Sequence, residues 1–579
     1  MASSNPCAAE IAAAIARALG PDVRADDLKV DAPPRPELGD FAIGMFSVAK
    51  ALRQPPAAIA ARVAAELRPA GVIAGAEAAG PFVNVRIDRG WAFRWVLDAA
   101  TGADDRHLVP QLGVGKVICI DYSSPNISKH LAYHHIRSTM LGHSLVKLNQ
   151  ALGYQVVRIN HVGDWGTTHG MLLSAFTRWG AEAAYQPLDV SALNALYVRF
   201  RAEMKTDDSL EPEARNWFKR LEAGDPDVRA RWQQFRDISM AEFDRAYVSL
   251  GVGFDDAGGE SFYEDKMPEI VEQLDARGLL TESDGATVVQ LPDEKTPLLI
   301  KTTDGTSLYA TRDLAAALHR HRQYGFERSL YVVDRGQALH FRQLFKALRL
   351  MGFEWADRCE HVPFGLVRFG GKKTSTRGAS GSFLLEDVFQ EARDQVRSIL
   401  AEASRDMSEA QLEQTARIVG VGAVVFANVL PQRDKDIDFD WDKVLSLSGD
   451  SGPYLQYTVA RCWAIHRKAG QPVDPPSDAI DWSLLSHDAE WAVARRILDF
   501  GDHVVRAATS SEPHIVAHYL LDLAGDFSRW YTLGNGDPAL RVICDDPALR
   551  AARLALVRVV RFTLTNGLAL LGLGAPELM

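Results

Sequence analysis

"KVICIDYS", residues 116–123, is a short apolar run with no helical period, the pattern of a strand buried on both faces of a parallel sheet. "SPN" (124–126) then turns the chain. From Tyr133 to Leu152, the residues Ile136, Met140, Leu141, Leu145 and Leu148 recur on one helical face, and "QVVRINHV" (155–162) reads as a second strand. Strand, helix and strand in this order make a βαβ unit, the half-module of a nucleotide-binding α/β domain.

Ahead of this unit, "MASSNPCAAEIAAAIARALG" places Ile11, Ile15 and Leu19 at helical spacing, "DAPPRPELGDF" (31–41) breaks regular structure, and "QPPAAIAARVAAEL" (54–67) starts a helix on prolines. Residues 1–110 are therefore expected to form a small α+β domain. Between about 175 and 290 the chain is charged and mostly helical, which predicts an insertion. A second α/β stretch follows through "PLLIKTTDGTSLYATRDLAAALHRH" (297–321), "SLYVVDRGQALHFRQLFKALRLMG" (329–352) and the strand "EHVPFGLVRF" (360–369). From Leu384 onward nearly everything carries helical periodicity. The expected division is a catalytic α/β domain at 111–384, a helical connection at 385–445 and a helical domain at 446–579.

The 579 residues exceed what one core accommodates, and 47% hydrophobic with 24% charged residues is the balance of a globular protein. No run approaches the ~20 apolar residues that span a bilayer, and no basic region precedes the first helix, so neither a membrane helix nor a signal peptide is read and a cytoplasmic protein is expected. Five scattered cysteines argue against a disulfide framework or a zinc ribbon, and no metal site is predicted. A net charge of −11 speaks against indiscriminate nucleic-acid binding but permits a local basic face.

"ISKHLAYHHIRST" (127–139) covers the end of the turn and the start of the helix, where free backbone N–H groups and the helix dipole favour an anion. Lys129, His130, His134, His135 and Arg137 fit either a phosphate site or a solvated helix start. "GGKKTSTRGASG" (370–381) has the small residues and cations of a phosphate clamp, a composition also common in surface loops.

Together with "DYSSPNISK" (121–129), "RINHVGDWGTTHGMLL" (158–173), "LYATRDLAAAL" (308–318), "LYVVD" and "GQALHF" (330–341), "HVPFGLV" (361–367), "DIDFDWDKVL" (436–445), "SGPYLQYTVAR" (451–461), "YLLDLAGDFSRWY" (519–531) and the terminal "GAPELM", these stretches resemble an arginyl-tRNA synthetase over almost the whole chain. The resemblance implies a multidomain α/β protein. Its parts would be a class I Rossmann-type catalytic domain with an insertion, an N-terminal α+β domain that contacts tRNA, and a C-terminal all-α domain of the anticodon-binding type. It implies an arginine–tRNA ligase using ATP and Mg²⁺, with L-arginine and tRNA as partners, no membrane attachment, and a monomer.

Carried over position by position, the resemblance puts Asp121 and Asp313 at the substrate guanidinium, whose planar fork of donors suits carboxylates. It puts Asn126, Tyr309 and Gln337, with Ser123, around the rest of the amino acid. The family's His-x-Gly-His motif falls on Ala132, Tyr133, His134 and His135, so only its last histidine is kept. The Lys-Met-Ser-Lys-Ser motif falls on Lys373, Thr374, Ser375, Thr376 and Arg377. Lys129, His135 and Lys373 are the expected catalytic groups, and His134, Ser375 and Arg377 join them as ATP contacts. Thr168 and His169 depart where glutamine and an aromatic residue are common. One lost charge-assisted contact is worth about 1.5–3 kcal/mol, roughly 10- to 100-fold in rate. These departures cluster around ATP, and the arginine positions are kept. In the helical domain, Tyr454, Gln456, Tyr457 and Arg461 are the expected tRNA contacts. Two alternatives stay open: a paralogue that uses arginine or arginyl-tRNA to make an amide in a small-molecule pathway, and a catalytically weak arginine- or tRNA-binding protein.

Overall fold

The computed structural model describes residues 5–101, 108–301, 309–369, 372–373, 384–403, 407–470 and 480–579. The chain divides into two compact units. One is Gly113–Val396 with Ala423–Val444, and the other is Met1–Leu112 with Arg397–Gly422 and Leu445–Met579.

The first of these is built on a four-stranded parallel sheet. Strand β1 (Val117–Asp121) leads through helix α1 (His135–Ala151) to β2 (Gln155–Ile159), as the βαβ pattern predicts. Ile118, Cys119 and Ile120 are buried, which is why no polar alternation shows in the run. The helical insertion follows, including α2 (Val190–Glu203) and α3 (Pro226–Leu250). Asp189 caps α2 by accepting from the Ala192 amide, and Asp225 with Pro226 starts α3. An aromatic core of Trp165, Phe200, Phe218, Trp232 and Phe235 holds the insertion together.

Helix α4 (Tyr309–Tyr324) then leads to β3 (Arg328–Tyr331), and α5 (Ala338–Leu350) to β4 (Cys359–His361). The sheet order is β4-β3-β1-β2, so the chain leaves β1 toward β2 and returns on β1's other side with β3. Ligands of open parallel sheets bind outside the carboxyl ends at such a reversal.

Three expectations from the sequence change here. "EHVPFGLVRF" is two short strands, β4 and Val367–Phe369, because Gly365 passes so close to the Lys435 carbonyl that an added Cβ would lie 2.3 Å from it. "PLLIK" contributes Leu298–Lys301 to a separate antiparallel sheet with Leu280–Ser283 and Ala286–Val289. Past Leu384 the helical pattern is also interrupted by Ile437–Phe439, which pairs in parallel with Val367–Phe369.

The other unit contains an antiparallel sheet of Val30–Asp31, Phe41–Gly44, Phe82–Ile87 and Ile73–Ala79, in that spatial order, with helices Pro6–Leu19 and Pro56–Glu66. Ile11, Ile15 and Leu19 are buried, as their spacing predicts. Its helical part includes α6 (Gly452–Ala469), α7 (His514–Gly536) and α8 (Pro547–Leu570). The terminal "GAPELM" is held against α6, where Gln456 Nε2 donates to the Gly574 carbonyl (2.7 Å) and Arg467 to that of Glu577 (3.2 Å).

Candidate active site

A cavity of about 560 Å³ opens at the carboxyl ends of β1 and β3. Its wall includes Asp121, Ser124, Asn126, His161, Glu260, Tyr309, Asp313 and Gln337, so five of the six positions expected around arginine meet in one place. Ser123 is the exception: it is buried behind the wall, its hydroxyl 2.9 Å from Thr139 Oγ1 and 2.8 Å from the Tyr247 hydroxyl. Its task is to hold the turn. Ser123, Ser124 and Ser128 all adopt positive φ (71°, 47° and 63°), conformations costly for residues other than glycine. Side-chain hydrogen bonds hold them there: the Ser123 amide donates to Ser138 Oγ, that of Ser124 to Asn160, and that of Ser128 to Ser239. Gly163 abuts Asn126 so closely that a Cβ would lie 2.1 Å from Asn126 Oδ1.

The two expected carboxylates differ in kind. Asp121 already has a guanidinium: Arg320, almost wholly buried, lies 2.8 Å from Asp121 Oδ2, and Ser124 Oγ donates to Oδ1. Asp121 thus lines the cavity with one protein partner already on each of its oxygens. Asp313, on the first turns of α4, has His340 Nε2 at 2.6 Å and His161 Nε2 at 3.6 Å. Burial works against its ionisation, but the hydrogen bonds from His161 and His340 prevail and hold its carboxyl well below the usual range. Glu260 is the residue that sequence reasoning missed. Its Oε2 accepts from buried Arg312 (2.9 Å), yet burial, offset only in part by Arg312, pushes its pKa up to about 7. No motif marks it; its position emerges only when the turn after the insertion folds over α4. Tyr309 is 60% exposed with its ring tilted against His340 (5.0 Å), and Gln337 is exposed just ahead of α5.

The turn that enters α1 is equally defined. His135 Nδ1 lies within hydrogen-bonding reach of the Ala132 backbone (3.0 Å to N, 3.1 Å to O), and burial, reinforced by His134, pushes its pKa down to about 3. Its imidazole is neutral near pH 7, so what it can offer a phosphate is a hydrogen bond and not a charge. His134 has φ −64° and ψ −20°, an ordinary right-handed conformation, with its ring centred 4.0 Å from that of His135. Tyr133 is core, accepting from Asn428 and packed edge-on against Phe439. Arg137 is buried and donates to the carbonyls of Gln432, Arg433 and Lys435, which makes it a structural tie. Half-buried Lys129 has its ammonium 5.3 Å from the centre of the Tyr197 ring. Thr168 lines the cavity, whereas His169 is core. Lys373 lies on the two-residue strand Lys372–Lys373, paired with Val367–Phe369, and Ser375 and Arg377 lie outside the described residues.

Residues 100–441 match the tRNA synthetases class I (R) catalytic domain, 6–87 the arginyl tRNA synthetase N-terminal domain and 455–579 the DALR anticodon binding domain. The chain belongs to the arginyl-tRNA synthetase family. It is similar to the arginine–tRNA ligase of Exiguobacterium sibiricum, 42% identical over 551 residues with 95% of each chain covered, and to that of Clostridium botulinum, 40% identical over 559 residues with 96% and 97% covered. Among solved structures it resembles Thermus thermophilus arginyl-tRNA synthetase, with a TM-score of 0.81 at 27% identity over 98% and 99% of the two chains.

Within this synthetase family framework, the residues expected to meet tRNA separate. Gln456 is fully buried and its amide is engaged by the carbonyls of Ile418 and Gly574, so the expectation of an RNA contact there is corrected: it ties the C-terminal residues to α6. Tyr454 reaches Ser528 on α7 (3.3 Å). Tyr457 and Arg461 share one face of α6, where the Arg461 guanidinium lies 4.7 Å from the Tyr457 ring and 5.4 Å from that of Tyr531. Tyr531 completes a cationic, aromatic group that the sequence pattern alone does not assemble. Among the described residues no group of three or more His, Cys, Asp or Glu side chains converges to hold a metal ion, and no helix is long and apolar enough to cross a membrane.

Proposed function

We propose that this synthetase-family chain is an arginine–tRNA ligase of the cytoplasm, acting as a monomer. The observation that carries the reading is Asp313, kept ionised by two imidazoles in a cavity that also holds Glu260. A guanidinium is a planar cation with several donors, and two carboxylates from different elements can neutralise and orient it where lysine's point charge cannot fill the same geometry. Asn126, Tyr309 and Gln337 hold the amine and carboxylate at the cavity mouth, and Asp121 acts through Arg320 by fixing the wall.

The arginine carboxylate then attacks the α-phosphorus of ATP, releasing pyrophosphate and forming arginyl-adenylate; the terminal ribose hydroxyl of tRNA takes the arginyl group and AMP leaves. No covalent enzyme nucleophile is needed, since positioning and charge stabilisation carry the step. Lys129 and Lys373 supply positive charge, His135 a neutral hydrogen bond, and His134, Ser375 and Arg377 complete the ATP contacts. Mg²⁺ would come with the nucleotide and would supply positive charge to its phosphates. Tyr454, Tyr457 and Arg461, with Tyr531, face the anticodon arm, and residues 1–110 contact the rest of the tRNA.

The test is arginine- and tRNA-dependent ATP–pyrophosphate exchange followed by charging of arginine tRNA. Charging at ~1 s⁻¹ or faster agrees with the reading. The adjoining imidazoles of His134 and His135, set where the family motif has a glycine before its last histidine, favour a second reading: a paralogue that uses arginine or arginyl-tRNA to form an amide. Arginine binding without adenylate formation would select it.

A further inference from the structure

Outside the cavity, two residues from separate elements converge on the imidazole of a third. His130 lies in the turn between β1 and α1, Ser191 is the second residue of α2, and Glu242 sits on α3. His130 Nδ1 is 2.8 Å from Glu242 Oε1 and its Nε2 is 3.0 Å from Ser191 Oγ. None of the three lines the arginine cavity. A carboxylate on Nδ1 fixes the tautomer with the proton there, which leaves the Nε2 lone pair to accept from the serine hydroxyl; this is the arrangement that activates a serine. Ser191 is exposed, and His130 and Glu242 are each about a quarter exposed on their side chains, so the hydroxyl can be reached from solvent.

We propose that Ser191, His130 and Glu242 form a second, hydrolytic site on this chain, a serine-nucleophile centre for esters of α-amino acids. The substrate class follows from charge. Glu242, Asp189 at the start of α2 and Asp387 all act on His130 from one acidic surrounding, with Lys129 its neighbour in the chain, so an acyl group bearing an ammonium is favoured over a neutral or anionic one. The hydrogen bond that His130 donates to Glu242 leads in raising the His130 pKa above its usual value, against burial, which suits an imidazole that must accept a proton.

In the reaction Ser191 Oγ bonds to the ester carbonyl carbon while its proton passes to His130 Nε2. The carbon–alkoxy bond breaks and the alcohol leaves with that proton. Water then attacks the acyl-serine, giving its proton to His130, and Ser191 recovers a proton as the free amino acid departs.

The test needs neither ATP nor tRNA, so it is independent of the ligase reading. The full chain is given L-alanine methyl ester, with methyl acetate as the neutral comparison, and separately a fluorophosphonate whose adduct is mapped by peptide mass. Expected results are labelling at Ser191, hydrolysis of the amino ester well ahead of the acetate, and a loss of ~10²-fold or more in Ser191→Ala and in His130→Ala. Glu242→Gln should also move the acid limb of the pH–rate profile to lower pH, which a merely structural tie would not do. Arginine binding by Ser191→Ala reports its fold. Absence of a Ser191 adduct on the wild-type chain, or equal ester hydrolysis by wild type and Ser191→Ala, overturns the proposal.

Discussion

Asp313 is an anion already hydrogen-bonded before any substrate arrives, and its neighbours make arginine binding depend on pH. Glu260, with a pKa of about 7, must lose its proton to meet a guanidinium, and His161, whose pKa is raised by its hydrogen bond to Asp313 against burial, competes for that carboxylate when protonated. Both effects have the same sign: affinity for arginine rises as pH increases through about 7, and below it falls by up to ~10-fold per unit for each proton displaced. Calorimetry at pH 6, 7 and 8 in buffers of different ionisation enthalpy should show proton release on binding at the lowest pH. A flat affinity profile would contradict this. Asp313→Asn leaves a buried site without its charge and should cost about 2–5 kcal/mol in arginine affinity, while lysine binding, weak already, changes far less. Equal weakening for both ligands would mean that Asp313 supports the fold and not the choice of amino acid.

At the scale of elements, the β1–α1 turn shows how far the sequence could be read. The strand and the helix followed from periodicity and end effects, because these are local properties of consecutive residues. Glu260, Tyr531, the Arg320 partner of Asp121 and the corrected task of Gln456 did not, because each is set by residues far along the chain. His134 illustrates the mixed case. Its position in the motif was legible, but its right-handed backbone shows that the turn itself does not require glycine. His134→Gly should therefore retain the helix start and raise arginine- and tRNA-dependent pyrophosphate exchange by uncovering backbone for adenine, with Ala132→His adding up to ~10- to 100-fold. If His134→Gly slows exchange, the imidazole is a working part of the ATP site. Gly163 offers a control in the same turn region: Gly163→Ala drives a methyl into Asn126, so the KM for arginine should rise while adenylate formation at saturation is less affected.

On the scale of the whole molecule, tRNA affinity should fall steeply with salt despite the net charge of −11, since phosphate contacts release counterions whatever the overall charge. Deleting residues 446–579 is a poor probe of this, because the cut passes through a unit that also contains Met1–Leu112. Arg461→Ala is cleaner. It should weaken tRNA binding and flatten its salt dependence while leaving arginine binding unaltered, and an unchanged filter-binding isotherm would remove the α6 face from the tRNA surface.

The same division of the chain has a temporal side. Roughly 330 residues separate Leu112 from Leu445, so the amino-terminal strands leave the ribosome long before the last helical segment of their own unit exists. At typical elongation rates of ~5–20 residues per second the delay is about 20–60 s. Gly113–Val396 has time to fold during that interval and Ala423–Val444 completes it at the end, while the first hundred residues wait with their apolar face open to holdase chaperones, so synthesis stalled just after Val444 has left the ribosome should yield a competent arginine pocket joined to an unfinished, protease-sensitive amino terminus.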